Sequence, residues 1–210
     1  MPTLTTLLNF ADSRLPTGGH VHSGGMEEAV VSGLVTDVAT LDAFLRRRIR
    51  TSGLVTASVA VAVHTGAVTP ELGDLETDAR TPAPSARAAS RAQGRGLLRL
   101  AKRVWPGDWS GLGRAPHLGV VAGVVGRVSE LNPEHTALSL VYTTMTGSAT
   151  AAQRLLALDP ADVAAVTFRC ADLCDHTALE ATAGLADLSD PLLDVLAQRH
   201  AARDRPLFVS

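Results

Sequence analysis

Apolar residues recur along this chain three and four positions apart, and the pattern is interrupted repeatedly by proline and glycine. Residues 4–11 form a short apolar helical run that ends before Leu15-Pro16-Thr17-Gly18-Gly19, a turn. Ser23 can cap a helix reaching Ser32, with Glu27 and Glu28 near its positive end and Gly33 closing it. A helix starting at Asp37 or Thr40 carries Leu41, Phe44, Leu45 and Ile49 at helical spacing. Residues 54–64 are apolar nearly all round, which predicts a deeply buried helix. Thr69-Pro70-Glu71 is a cap followed by proline at the first helical position.

Residues 78–90 carry two prolines and predict a break or mobile connection. Residues 86–104 then alternate small residues with arginine, and the Gly- and Pro-rich residues 106–116 predict a surface loop. Residues 117–128 suit an apolar helix better than a strand, because Ala122-Gly123 interrupts the valines. Asn132-Pro133-Glu134 opens a long helix, Asp159-Pro160 another that runs to about residue 183, and Asp190-Pro191 the last. The pattern predicts an all-α, single-domain helical bundle of about eight to ten helices. Residues 1–22 and 204–210 are expected to be a mobile N-terminal segment and a mobile C-terminal tail.

Composition narrows this picture. The 210 residues suffice for one domain with a real core, and 46% hydrophobic with 19% charged content excludes a disordered chain. Aromatics make up only 3%, so the core is built from Ala, Leu and Val, which suits close helix packing more than sheets. A net charge of −2 and a pI near 6.4 create no global attraction for nucleic acid or an acidic membrane. Two cysteines are too few for a disulfide scaffold, and there is no signal-like segment or membrane-length apolar run, so a cytoplasmic protein is expected.

Candidate chemistry is sparse. The segment from Leu15 to Glu28 holds four glycines and one proline, a tightly specified path between two helices. It lacks the preceding strand and following lysine of a phosphate-binding loop, which leaves metal binding by His20 and His22 or a plain interhelical turn. Cys170, Cys174 and His176 could supply soft ligands to zinc or nickel, or the cysteines could be small buried hydrophobes. Arg46-Arg47-Arg48-Ile49-Arg50 could face nucleic acid as part of a helical DNA-binding regulator, or form a salt-bridging strip. Arg87, Arg91, Arg95 and Arg99, spaced by four, form one stripe suited to carboxylates on a neighbouring helix or a partner. There is no nucleophile elbow, Cys–His pair or acidic triad, which favours a binding protein over an enzyme.

Three motifs occur in order along nearly the whole chain. The first is Leu15-Pro16-Thr17-Gly18-Gly19 followed by Ser23-Gly24-Gly25-Met26-Glu27. The second lies between Asp78 and Leu98, with Arg87, Ser90, Gly94 and Leu97-Leu98. The third is Pro191-Leu192-Leu193-Asp194, His200 and the ending Leu207-Phe208-Val209-Ser210. Together they resemble the UreF family of urease accessory proteins. The chain departs from that family's usual pattern at His20, often an aromatic, and at Pro206, often an arginine directly before Leu-Phe and here preceded by Arg205. The resemblance implies an all-α, non-enzymatic adaptor that dimerises with itself. It also implies a complex with the GTPase UreG and the scaffold UreD/UreH on apo-urease, where nickel delivery is assisted and the GTP cycle of UreG is modulated. A nickel-binding metallochaperone is the alternative. The partner-contacting residues expected from the matched motifs are Pro16, Gly18, Gly19, Ser23, Gly24, Glu27, Arg87, Arg91, His200, Arg205, Phe208 and Ser210. No resident cofactor or metal is expected.

Overall fold

A computed structural model describes residues 4–187 and 190–209. These residues form α1 (Leu4–Phe10), α2 (Met26–Val31), α3 (Val38–Arg48), α4 (Leu54–Thr65), α5 (Pro70–Arg80), α6 (Pro84–Val104), α7 (Leu118–Val128), α8 (Pro133–Leu156), α9 (Pro160–Arg169), α10 (Ala171–Glu180) and α11 (Pro191–Ala201). No strand occurs among the described residues, as the helical periodicity predicts.

The caps explain many of the boundaries. Asp37 and Thr40 form a reciprocal capping box at the start of α3. Thr69, Asn132, Asp159 and Asp190 each accept a hydrogen bond from the first turn of α5, α8, α9 and α11, and each is followed by proline at the first helical position. At Asp37 and the four X-Pro caps a side-chain oxygen satisfies one of the N–H groups that a helix start leaves unpaired.

Helix α4 is the axis of the molecule, and its all-round apolarity has a direct cause. Leu54, Ala57 and Val61 belong to a core shared with α2, α3, α8, α9, α10 and α11. Val59, Ala60 and Val63 belong to a second core made with α6, α7 and the Trp109–Leu112 loop. A helix buried between two cores has no face left for water. Helix α7 approaches α4 through Gly119, Gly123 and Gly126. A methyl group on Gly119 would come within 2.9 Å of the Thr56 carbonyl oxygen, and one on Gly123 would overlap the Ala60 carbonyl. Small residues thus set the interaxial distance by letting backbone meet backbone.

Three segments differ from the sequence pattern. The break expected over residues 78–90 is confined to 81–83 and is tied down. The Ala83 N–H donates to Asp194 (3.0 Å), and Arg87 donates to the Thr81 and Pro82 carbonyls (2.7 and 2.9 Å). The helix expected from Asp159 to about residue 183 is two, α9 and α10, hinged at the buried Cys170. The chain between α3 and α4 does not turn away but runs through a π-helical turn, Ile49–Gly53, so one extra residue is accommodated without ending the helix.

Candidate partner-binding site

Three glycines shape the entry to α2. Gly18, Gly24 and Gly25 have φ of 78°, 64° and 87°, a left-handed conformation that side-chain-bearing residues rarely adopt. Gly25 caps α2, and the buried Ser23 Oγ accepts from the Glu27 N–H (3.3 Å). The cap position is thus Gly25 rather than the expected Ser23, whose hydroxyl still accepts from an N–H of the first turn because the regular helix begins only at Met26. The turn lies close against α6, where a methyl group on Gly96 would meet the Thr17 backbone at 2.7 Å.

This geometry buries Glu27, which becomes the anchor of the chain's end. Its Oε1 accepts from the Leu207 N–H (2.8 Å), and its Oε2 accepts from the Phe208 N–H (2.9 Å) and meets His200 Nε2 at 2.9 Å. The Val209 N–H donates to the Val21 carbonyl (2.8 Å), and Arg203 donates to Glu28 (3.1 Å). Burial alone would raise the Glu27 pKa. The Leu207 and Phe208 N–H groups and His200 outweigh that, leaving it below the usual carboxylate range. Residues 207–209 therefore run as a docked strap in which Phe208 is buried in the core while Leu207 (80% exposed) and Val209 (69%) face outward. The Arg154 guanidinium lies 5.2 Å from the centre of the Phe208 ring.

The expected contact residues therefore divide. Ser23, Glu27, His200 and Phe208 come together at the docked tail, while Gly24 receives the Arg48 guanidinium. Pro16 and Arg205 are exposed, and Gly18 and Gly19 are half-buried. Ser210 lies outside the described residues.

Arg87 and Arg91 lie elsewhere and bind carboxylates of their own chain. Arg91 donates to Asp74 (2.7 Å), Asp78 (2.7 Å) and the Ala115 carbonyl (2.6 Å), and Arg87 approaches Asp78 at 3.6 Å. The fully buried His117 completes this network, with Nε2 at 2.9 Å from Asp78 and Nδ1 at 3.0 Å from Ser90 Oγ. Ser90 accepts from the Leu118 N–H (3.3 Å), so all partners are satisfied when Ser90 donates to Nδ1 and the proton on Nε2 is donated to Asp78. Burial holds the His117 pKa below its ordinary value despite Asp78. Sequence reasoning found the arginines and missed their partners. The signal was present, because Asp74 and Asp78 repeat on α5 the four-residue spacing of Arg87 and Arg91 on α6.

The remaining candidate chemistry is mostly spent on structure. Asp74, Asp78 and His117 place ligand atoms within 4.8 Å of one another, but Arg91 already supplies the positive charge between the two carboxylates. Cys170 and Cys174 are buried, with Cys174 Sγ 3.7 Å from Met145 Sδ, whereas His176 is exposed. Burial pushes the Cys174 thiol up to about 12. In the basic run, Arg46 pairs with Asp42 (2.6 Å), Arg47 grips Asp190 through two bonds (2.7 and 2.6 Å), and Arg48 donates to the Gly24 carbonyl. Only Arg50 of the four arginines is left exposed without such a contact among the described residues. No helix among them is long and apolar enough to cross a membrane.

Comparison with known proteins agrees with the motifs. The UreF family profile matches residues 35–171. The urease accessory protein UreF of Mycolicibacterium vanbaalenii is 74% identical, that of Mycobacterium sp. strain JLS 72% and that of Mycobacterium bovis 69%. Each alignment covers all of this chain and all of the relative. The chain belongs to the UreF family of urease accessory proteins.

Proposed function

We propose that this chain is a non-catalytic adaptor of urease maturation in the cytoplasm. It binds a UreG-type GTPase and a UreD/UreH-type scaffold on apo-urease, assists nickel insertion, and modulates the GTP cycle of the GTPase without hydrolysing GTP itself. The observation that carries this reading is full-length identity of 69–74% to proteins named urease accessory protein UreF. The arrangement at the docked tail supports it. Leu207, Val209 and Arg205 present an exposed apolar and cationic edge, held by Glu27 through the Leu207 and Phe208 N–H groups, as a rigid contact surface requires. A homodimer is part of the proposal. Exposed Phe168 (81%) and Leu179 (55%) on α9 and α10 are apolar side chains that a second copy could cover.

The test is a deletion strain complemented with wild-type protein or with variants of the tail edge. Urease from the deletion strain should contain little nickel and show little activity. Leu207→Asp should co-purify less GTPase or scaffold while remaining folded. Full nickel loading of urease in the deletion strain would refute the adaptor role.

A further inference from the structure

A cavity of about 350 Å³ opens between the glycine turn, the end of α3, α6, α8 and α11, and its charged groups are not all paired. Three carboxylates line it, and each is already satisfied. Asp12 is held by Arg14 (2.6 Å), Asp190 by Arg47 (2.6 Å) and Thr51 (3.2 Å), and Asp194 by the Ala83 N–H (3.0 Å). Two other arginines are on the wall: Arg80 is paired with Glu76 and Asp187, and the exposed Arg154 lies over the Phe208 ring. Arg48 is different. Its Nη1 donates to the Gly24 carbonyl, its Nε is buried without a partner, and Nη2 makes no hydrogen bond among the described residues. Asp190 acts on it only through space, no carboxylate pairs with it among the described residues, and burial lowers its pKa to about 10, still cationic at neutral pH.

The Arg48 guanidinium packs directly on the Gly24 backbone. Gly24 has no side chain where one would overlap Nη2, and that residue's φ of 64° makes replacement costly. Ser148 Oγ donates to the Ser23 carbonyl (3.3 Å), next to the Gly24 carbonyl that Arg48 uses, so this part of α8 faces the same corner. One turn earlier on α8, the Thr144 hydroxyl lines the cavity and has no hydrogen-bond partner among the described residues, and neither has the Gln93 amide on α6. Gly147 lies between Thr144 and Ser148 in the interior of α8. A methyl group there would touch nothing within 4 Å, so packing does not require this glycine, which costs about 0.5–1 kcal/mol of helix stability relative to alanine.

We propose that this cavity binds a small oxyanion of the carboxylate or phosphate type, with Arg48 as its charge partner and Thr144 as a hydroxyl donor. Nη2, unbonded and not sealed from solvent, can donate a charge-assisted hydrogen bond to one oxygen of such an ion. The site does not depend on the adaptor role.

The test titrates the full-length protein with sodium phosphate, and separately with sodium acetate, at ionic strength held constant with sodium chloride. At least one ion should shift the Arg48 Nε–H resonance saturably and raise the unfolding temperature. Arg48→Met should weaken apparent affinity at least about tenfold, and the isosteric Thr144→Val about threefold, consistent with loss of a charged and a neutral hydrogen-bond donor. Whichever ion saturates at the lower concentration identifies the class. If Arg48→Met does not fold, the wild-type resonance and Thr144→Val carry the decision. No saturable response to either ion, or an affinity that Thr144→Val leaves unchanged, would overturn the assignment.

Discussion

Glu27 shows how much one side chain can organise. Buried carboxylates are tolerated only when their oxygens are hydrogen-bonded, and Glu27 has three donors converging on it from a segment some 180 positions away in sequence. Glu27→Gln keeps the shape but replaces one acceptor oxygen with a donor that faces other donors. We expect a loss of about 1–3 kcal/mol in urea unfolding, with faster hydrogen exchange at the Leu207 and Phe208 amides. Unchanged exchange at those amides would mean that Glu27 does not hold the tail. Gly123 is the counterpart in the core. Gly123→Ala drives a methyl group into the Ala60 carbonyl and should cost about 1–3 kcal/mol, read as a lower urea midpoint with an unchanged slope. Neither role follows from residue type. The glutamate sits in a first helical turn, where sequence reasoning assigns it to the helix dipole, and the glycine looks like a defect in a run of valines.

At the scale of elements, the terminal strap changes what truncation should do. A polar tail that packs against nothing could be removed without affecting the fold. Here Phe208 fills part of the core, and the strap satisfies Glu27. Deleting residues 205–210 should therefore destabilise the protein by about 2–4 kcal/mol, from lost Phe burial plus an unsatisfied buried carboxylate. Equilibrium unfolding of the truncated chain measures this, and a stability equal to wild type would show that the strap contributes only contact surface. Helix boundaries were largely legible beforehand, because Thr69-Pro70, Asn132-Pro133, Asp159-Pro160 and Asp190-Pro191 combine a cap with a residue that cannot continue a preceding helix. The turn at Cys170 was not legible. Its N–H still bonds within the preceding helix, to the Val166 and Thr167 carbonyls, and no proline or glycine marks the change of direction. Cys170 and Cys174, four positions apart, both lie in the core, with Cys174 beside Met145 of α8.

For the whole molecule, burial of histidines predicts the response to acid. His22, His64 and His117 all have lowered pKa values, with burial the largest cause in each. Above about pH 6.5 all three are neutral in both folded and unfolded chains and cost nothing. As pH falls below that value the unfolded chain takes up protons first, so stability declines until the lowered folded pKa values are passed. Glu27, whose folded pKa is also lowered, extends the decline at lower pH, because its contribution is present above its unfolded value and lost as pH falls through its folded one. The urea midpoint should be lower at pH 5.5 than at pH 7.5. An equal or higher midpoint at pH 5.5 would contradict the burial of these rings.

The sequence by itself determined the all-α class, most helix starts and the family, because periodicity, caps and ordered motifs are local or linear signals. Only the tertiary structure decided what the charged groups do. It turned Arg87 and Arg91 inward to Asp78 and Asp74, spent Arg47 on Asp190, and left Arg48 without a carboxylate. A charge pair between elements forms where folding brings two side chains within a few ångströms, and spacing along the chain does not encode that distance for residues on different helices.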